Sequence, residues 1–356
     1  MKFFDFFPIP SYLKIPAVGF DVSDRSLKYV ELRRLKKHIH PVAFGRKTIP
    51  PGLIEAGLIK KQDEFTGFLK SFRKELKNGY LIVALPEEKA FIGTIQLPLM
   101  KEEEVRGALE LQLEEYVPFQ AKEAVFDYEA IECLAGEKHF DISFTAAPLA
   151  VVQSYRDALV NAGFAPLVFE TEPHALVRAF IRPEEKSAKM ILDFGKTRTS
   201  FIIASGRKVE HSSTIKVAGE TLDLALSKAF SISPEQGDRM KNEQGLIRTK
   251  ESEKIFSVLL PIISAIKDEA LRHLSYWKTH IDSHNQKNAE IEKIILCGGD
   301  SNLKGLPEYL SNELHLSVEL GNPWINITSF EDYIPEIEFR EALTYATALG
   351  LALRAV

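Results

Sequence analysis

The sequence has few cysteines, no excess of charge and no long apolar run, and each of these absences excludes a class of protein. Cys133 and Cys297 are the only cysteines, and their spacing fits neither a zinc site nor a disulfide framework, which favours a reducing compartment. The 45 basic and 50 acidic residues are mixed along the chain, so no strong field attracts nucleic acid or an anionic bilayer. No stretch of about 18 uncharged apolar residues and no signal-peptide pattern occurs. We therefore expect a globular cytoplasmic protein.

The first 16 residues form a segment of unusual composition. They contain four phenylalanines around one aspartate, followed by three prolines that exclude a long helix: Phe3, Phe4, Phe6, Phe7, Pro8, Pro10 and Pro16. We predict that residues 1–16 are a separate tail. Its aromatic side chains suit contact with a membrane surface or a partner, and equally suit packing against the protein's own surface.

The remaining 340 residues are long enough for two lobes, and 45% of the whole chain is apolar. Helical spacing over residues 54–76 and an apolar run from Leu81 predict a helix packed on a sheet. Changes in the pattern of apolar and polar residues along the chain predict two lobes. The first lobe consists of residues 17–86 and 164–186, and the second of residues 187–356. Residues 87–163 form a predicted inserted β-α-β-β-α unit, and residues 222–290 are mainly helical.

Two strand-turn-strand segments resemble each other and lie about 170 residues apart. Each has an aspartate at the end of its first strand, Asp21 in GFDVS and Asp193 in LDFGKT. Backbone N–H groups of such turns bind anions, and Ser23, Thr197 and Lys196 would add donors and charge. Both aspartates could hold Mg²⁺ through water, because this ion keeps most of its hydration. Two facing hairpins of this kind suit a triphosphate.

A third motif places Gly298 and Gly299 between an apolar strand and a helix. A glycine pair lets the backbone approach a nucleobase or a sugar closely, although a plain strand-to-helix turn has the same pattern. The order of the three motifs resembles the nucleotide site of the actin, Hsp70 and sugar-kinase superfamily. This resemblance implies an α/β, bilobed actin-like (ribonuclease H-like) ATPase fold.

The resemblance narrows to the PilM family of type IV pilus assembly proteins. It rests on the stretches VGFDVSDRSLKYVEL, TIQLPLMKEEEVRGALELQLEEYVPFQAKEAVFDYEAI, FETEPHALVRAF, SPEQGDRMK and GNPW. The cell-division protein FtsA is a more distant relative. The family implies ATP and Mg²⁺ as cofactors, with these binding residues: Asp21, Ser23 and Lys28 on the first hairpin, Asp193, Gly195, Lys196 and Thr197 on the second, Gly298 and Gly299 at adenosine, and Asp238 and Lys241 at adenine and ribose.

One departure from the family pattern and one catalytic prediction bear on this site. Asp24 in the first turn is expected to repel a triphosphate unless Arg25 or Mg²⁺ offsets its charge. A water-positioning base is expected at Glu170 or Glu172, where a carboxylate could instead cap the helix that begins near Pro173.

The leading functional hypothesis is an ATP-gated scaffold of the pilus platform at the inner membrane. The resemblance implies that its partner is the short cytoplasmic tail of a PilN-like membrane protein, bound in a groove between the first lobe and the inserted unit. It also implies other platform proteins, or a second copy of the chain, as partners, and only indirect membrane association. The alternatives are an FtsA-like division protein and a small-molecule kinase of the same superfamily.

Overall fold

The computed structural model describes residues 15–35, 38–130, 139–279, 289–331 and 333–356. Most of the predicted tail, residues 1–14, lies outside these ranges, as does Cys133.

The strands follow one another along the whole described chain. They are β1 Val18–Val22, β2 Ser26–Leu35, β3 His38–Thr48, β4 Ile54–Glu55, β5 Leu58–Ile59, β6 Tyr80–Leu85, β7 Phe91–Pro98, β8 Ala124–Ala130, β9 His139–Pro148, β10 Ala165–Thr171, β11 Ala188–Phe194, β12 Thr199–Ser205, β13 Lys208–Ile215, β14 Ile291–Cys297 and β15 Ser317–Leu320.

The helices lie between these strands and at the end of the chain. They are α1 Gln62–Arg73, α2 Glu102–Tyr116, α3 Leu149–Asn161, α4 Glu172–Phe180, α5 Gly219–Phe230, α6 Pro234–Gln244, α7 Glu253–Thr279, α8 Leu306–Leu314, α9 Phe339–Ala342 and α10 Ala346–Ala352.

Two five-stranded sheets share one topology. The first has the order β10-β6-β1-β2-β3 and the second the order β13-β12-β11-β14-β15. In each sheet the first three strands form an antiparallel meander, and two later strands add in parallel beside the first. The repeat predicted from the two aspartate hairpins is therefore a repeat of whole sheets. Each hairpin lies at the centre of its own sheet, where the strands are buried.

The helix predicted over residues 54–76 is shorter than expected. It begins at Gln62, and a two-stranded ribbon of β4 and β5 precedes it. The ribbon turns through Ala56 and Gly57, which have φ angles of 48° and 72°. Two consecutive left-handed residues make a tight hairpin turn and interrupt a helix. The apolar spacing before Gln62 therefore belongs to strands.

The inserted unit has its elements in the predicted order, β7, α2, β8, β9 and α3. The three strands of this unit form a small sheet of order β7-β9-β8. Helix α2 covers it with Val105, Leu109 and Leu113. Helix α3 buries Tyr155 and Leu159 in a different cluster, with α1 and the first sheet. The hydrophobic core of the small sheet therefore includes four of the five elements, and the boundaries of the lobes stay a prediction.

Two short helices, α4 and α10, lie between the large sheets. Helix α4 packs mainly in a cluster with the second sheet, and α10 packs mainly on the first. They approach so closely that a Cβ on Gly350 would lie 1.9 Å from the carbonyl oxygen of Ala175. A Cβ on Gly19 would likewise lie 2.1 Å from the carbonyl oxygen of Ala348, so β1 and α10 also meet backbone to backbone. The two lobes are therefore joined through tight, glycine-dependent packing.

Candidate functional site

A cleft of about 440 Å³ lies between the two sheets, where the hairpins β1–β2 and β11–β12 face each other. Most of the residues predicted to bind nucleotide line it: Asp21, Ser23, Lys28, Asp193, Gly195, Lys196, Thr197, Asp238, Gly298 and Gly299. Glu172 lines it as well, whereas Lys241 and Glu170 lie elsewhere. The structure thus brings three motifs together that are far apart in sequence, as a shared binding site requires.

The first hairpin turns through Ser23 and Ser26. The Ser23 amide and hydroxyl both donate to the carbonyl oxygen of Ser26, at 2.9 and 3.0 Å. Lys28 lies opposite Asp21 in the strand register, and its Nζ donates to Asp21 Oδ2 at 3.2 Å. Both side chains are largely buried at the floor of the cleft. The ion pair explains why a buried carboxylate is tolerated there.

Asp24 does not face the cleft, so the expected repulsion of a triphosphate is wrong. Its carboxylate accepts hydrogen bonds from the amides of Ala56 and Gly57, at 2.9 and 3.0 Å. These are the two left-handed residues of the β4–β5 turn. Asp24 therefore stabilises a neighbouring turn and directs its charge away from the site. Its neighbour Arg25 does line the cleft.

Arg25 forms a bridge between the two lobes. Its Nη2 donates to Glu220 Oε1 on α5 at 2.9 Å, and both side chains are 39% exposed. Half-exposed pairs of this kind are weak and screened by salt. The pair therefore links the hairpin of the first lobe to the second lobe reversibly.

The second hairpin is tied to the start of α5. The amides of Gly219 and Glu220 donate to the carbonyl oxygens of Gly195 and Lys196, at 3.1 and 2.8 Å. These bonds satisfy amides that a helix leaves unpaired at its N-terminus. Asp193 precedes this turn and is partly exposed to the cleft; desolvation raises the pKa of its carboxyl, while Lys28 and Arg198 oppose the rise.

The glycine pair has two different environments. Gly298 has a φ of 86°, and a Cβ there would lie 2.3 Å from Asp193 Oδ1 and 2.5 Å from the carbonyl oxygen of Phe194. A Cβ on Gly299 would meet only Thr344 Cγ2, at 3.6 Å. Gly298 is thus required by the protein's own backbone, and Gly299 leaves open space on the cleft side.

Lys241 lies behind the cleft and not in its lining, which corrects its predicted place at the nucleotide. Its side chain is 1% exposed, and its Nζ is bound to Asp223 at 2.8 Å, to Asp238 at 3.1 Å and to Asp300. Burial alone would lower the pKa of Lys241, but the carboxylates of Asp300 and Asp223 hold it above its usual value. Lys241 therefore joins α5, α6 and the turn after β14.

Lys196 connects this network to the cleft. Its Nζ bonds to Asp238 Oδ1 at 2.8 Å and to Asp223, and its side chain is 41% exposed. Burial would lower the pKa of Lys196, but the hydrogen bonds that it donates to Asp223 and Asp238 raise it. This ammonium group stays charged at the edge of the site, as a phosphate ligand requires.

The two candidate bases lie on opposite sides of one chain segment. Glu170 is the last residue but one of β10. It pairs with Arg178 and lies 3.4 Å from Arg354, so it does not reach the cleft. Glu172 begins α4, lines the cleft and bonds to Arg198 Nη2 at 2.5 Å. Burial raises the pKa of Glu172, and Arg198 opposes that rise. Of the two, only Glu172 lines the cleft, and its role as a water-positioning base stays a prediction.

We did not predict three further residues that line the cleft. Arg198 lies in the second hairpin turn, and Arg46 and Thr48 lie on β3. A basic residue two positions after Lys196 in a predicted anion-binding turn would have been the signal for Arg198. Arg46 lies opposite Lys28 in the strand register, and that pairing is not readable from a single strand.

The charged lining of the cleft is balanced. Its cations are Arg25, Lys28, Arg46, Lys196 and Arg198, and its acids are Asp21, Glu172, Asp193, Asp238 and Asp300. A polyanion entering this cleft therefore also meets carboxylates, unless a cation binds with it. Asp21 and Asp193 approach from the two hairpins, and two carboxylates plus water and phosphate oxygens are the ligands that Mg²⁺ prefers. No cluster of three or more potential metal-binding side chains occurs among the described residues.

A second cavity, a groove of about 570 Å³, lies between the small sheet and the first lobe. It is lined by residues of β8, β9 and β10, by Leu85, Val152 and His174, and by Arg354. Strand β8 is an edge of the small sheet and β10 is an edge of the first sheet. The lining combines apolar side chains such as Val125 and Phe169 with charged ones such as Glu129 and Arg354.

A family model described as type IV pilus assembly protein PilM matches residues 19–356. The chain belongs to this family. Among solved structures, it is similar to the PilM-PilN type IV pilus biogenesis complex, with 24% identity, a TM-score of 0.80 and coverage of 96% of this chain and 99% of that one. MreB5 of Spiroplasma citri bound to ADP is similar with 16% identity, a TM-score of 0.56 and coverage of 96% and 95%. These similarities confirm the predicted actin-like α/β fold.

The cell division protein FtsA of Escherichia coli (strain K12) is 24% identical in an alignment of 189 positions, and the match covers 47% of this chain and 43% of FtsA. The chain therefore spans less than half the length of that curated relative. Because the PilM family covers nearly the whole chain, it is favoured over the division protein and the kinase. Within the described residues, no helix is both long and apolar enough to cross a bilayer.

Proposed function

We propose that this member of the PilM family is an ATP-binding scaffold of the type IV pilus platform, which holds the cytoplasmic tail of a PilN-like membrane protein. The observation that carries the proposal is the cleft in which two matching hairpins and a glycine pair converge. The family and the similarity to the solved PilM-PilN complex support the second part of the proposal, the PilN-like partner. The protein would then lie at the cytoplasmic face of the inner membrane through its partner.

ATP would occupy the cleft with its phosphates between Ser23 and Thr197 and its adenosine against Gly299. Lys28 and Lys196 would offer ammonium groups to the phosphates. Magnesium would neutralise part of the negative charge of the phosphates and of Asp21 and Asp193. The proposal needs nucleotide binding and not hydrolysis, because a ligand shifts a conformational equilibrium when it binds one state more tightly.

Asp193→Ala is expected to weaken Mg²⁺-dependent binding of a fluorescent ATP analogue by about tenfold or more, which is about 1.4 kcal/mol. The wild type is measured with Mg²⁺ and with a chelator, and it should bind more weakly with the chelator. Asp268→Ala is the matched control, since Asp268 is an exposed aspartate on α7 whose ion pair, among the described residues, is with its neighbour Lys267. Equally poor binding by wild type and Asp193→Ala would contradict the nucleotide proposal.

The groove is proposed as the site of the PilN-like tail. Its two flanking edge strands, β8 and β10, have backbone groups that an extended peptide can pair with, and exposed Val125 provides apolar contact. Charged residues at its ends, Glu129 and Arg354, would fix the direction of the peptide. Other platform proteins and a second copy of the chain would bind elsewhere.

Val125→Asp is expected to weaken binding of a synthetic peptide, the N-terminal tail of the PilN-like protein from the same genome, by about tenfold. The aspartate would place an unpaired charge against an apolar contact. Val125 is 42% exposed, so the fold should tolerate the change. The control is Val160→Asp on α3, where the valine is 52% exposed and does not line the groove. Equal peptide affinity of the two variants, by fluorescence anisotropy, would rule out this groove.

A further inference from the structure

Two chain segments link the cleft to the groove. Residues 170–174 contribute Glu172 to the cleft and Glu170, Thr171 and His174 to the groove. Residues 85–90 contribute Leu85 to the groove, and they lead directly into β7 of the small sheet. We call residues 85–90 and 170–174 together the dividing wall. A change in the position of residues 170–174 would alter both cavities, and a change in residues 85–90 would alter the groove.

One side chain from the second lobe holds both segments of the dividing wall. Arg198 Nη2 donates to Glu172 Oε1 at 2.5 Å, and Arg198 Nη1 lies 3.3 and 3.4 Å from the two carboxylate oxygens of Glu88. Arg198 is 9% exposed, and the surface it does expose lines the cleft. The same guanidinium therefore faces the proposed phosphate site and positions the chain that enters the small sheet.

Glu87 adds a third carboxylate next to this guanidinium. It is buried against the hydroxyl groups of Ser200, Ser212 and Thr214, and burial raises its pKa to about 7, with Arg198 among the groups that oppose the rise. The turn Glu87–Lys89 thus depends on compensation of buried negative charge by Arg198. Phosphate oxygens are strong acceptors for guanidinium donors and would compete with Glu88 for them.

We propose that Arg198 is the positioning residue through which an anionic phosphate in the cleft controls the shape of the groove. This inference rests on the proposed nucleotide binding and assigns its regulatory route. A phosphate that bonds to Nη1 draws it away from Glu88, while Glu172 keeps Nη2. The turn Glu87–Lys89 then loses an anchor, and β7, which begins two residues later, is free to shift with the small sheet.

Two amides report on this step directly. In the turn, the Lys89 amide donates to the carbonyl oxygen of Pro86 and the Ala90 amide to that of Glu87, both at 3.0 Å. Hydrogen exchange is measured for the full-length protein with and without a saturating non-hydrolysable ATP analogue and Mg²⁺. We expect exchange at Lys89 and Ala90 in the wild type to become about fivefold faster, or more, when the analogue binds.

Glu88→Gln separates coupling from a structural role. The amide keeps the size of the side chain but removes the charge that holds Nη1, so exchange at Lys89 and Ala90 should already be fast and should not respond to the analogue. Glu88 does not line the cleft and would no longer compete for Nη1, so affinity for the analogue should equal or exceed that of the wild type. Arg198→Lys should also lose the response, because a lysine offers one point charge in place of a fork.

The control is Arg248→Lys, since Arg248 forms an exposed pair with Glu253 and lines neither cavity. It should respond as the wild type does. The inference is overturned if the wild type binds the analogue but exchange at Lys89 and Ala90 is unchanged, or if Glu88→Gln responds fully. Binding of the analogue is measured on the same samples. A wild type that does not bind it would overturn the proposed function and this inference together.

Discussion

Lys241→Met is expected to lower the free energy of unfolding by about 3–5 kcal/mol, the usual cost of removing one partner from a buried ion network. Methionine fills much of the same space but leaves Asp223 and Asp300 buried without their shared cation. Both carboxylates are almost fully shielded from solvent. Since Lys241 joins three elements of the second lobe, its loss would loosen α5, α6 and the turn after β14 together.

Chemical denaturation followed by circular dichroism measures this change. Lys278→Met, at an exposed lysine near the end of α7, is the control and should stay within about 0.5 kcal/mol of wild type. A triple variant of Lys241→Met, Asp223→Asn and Asp300→Asn should recover part of the loss, because its buried groups no longer carry charge. If Lys241→Met were as stable as the control, the buried network would not have the role assigned to it.

Gly298→Ala is expected to weaken binding of the ATP analogue by about 100-fold, which corresponds to about 2.7 kcal/mol. Its backbone is left-handed, and the added Cβ would overlap Asp193 Oδ1 and the carbonyl oxygen of Phe194. Strain of this kind costs about 1–3 kcal/mol, and relieving it moves the carboxylate proposed to hold Mg²⁺. The effect would therefore fall on both the fold and the ligand.

Gly299→Ala is the matched control within the same pair. Its Cβ would make only an ordinary contact with Thr344, so the stability of the free protein should stay within about 0.5 kcal/mol of wild type. Any loss of nucleotide affinity in this variant reports on contact with adenosine. Titration with the fluorescent analogue compares the two variants, and equal affinities would mean that the left-handed turn does not position the site.

The parts of the site that the sequence predicts are those built from local chemistry. Asp21 and Asp193 each lie before a polar turn between apolar strands, and Gly298 precedes a helical turn, so each motif is complete within about ten residues. The repeat of the first motif predicted that two hairpins would meet. The family resemblance supplied the order of the motifs and the inserted unit.

The parts that the sequence does not predict depend on distant partners. Arg198 binds residues 26 and 110 positions away, and nothing around it shows that it is buried. Lys241 has the spacing of an exposed helical residue, yet it is enclosed because Asp300 approaches from another element. Glu170 and Glu172 are near neighbours that face different cavities, since the strand ends between them and the helix begins.

The shared topology of the two large sheets has a consequence for the symmetry of the molecule. The hairpin is formed by the first two strands in each sheet, so the two halves present similar turns to the cleft. The added elements do not repeat. The small sheet enters the first lobe between β6 and β10, whereas α5, α6 and α7 enter the second between β13 and β14. The molecule is thus nearly symmetric at its two hairpins and strongly asymmetric in the elements added around them.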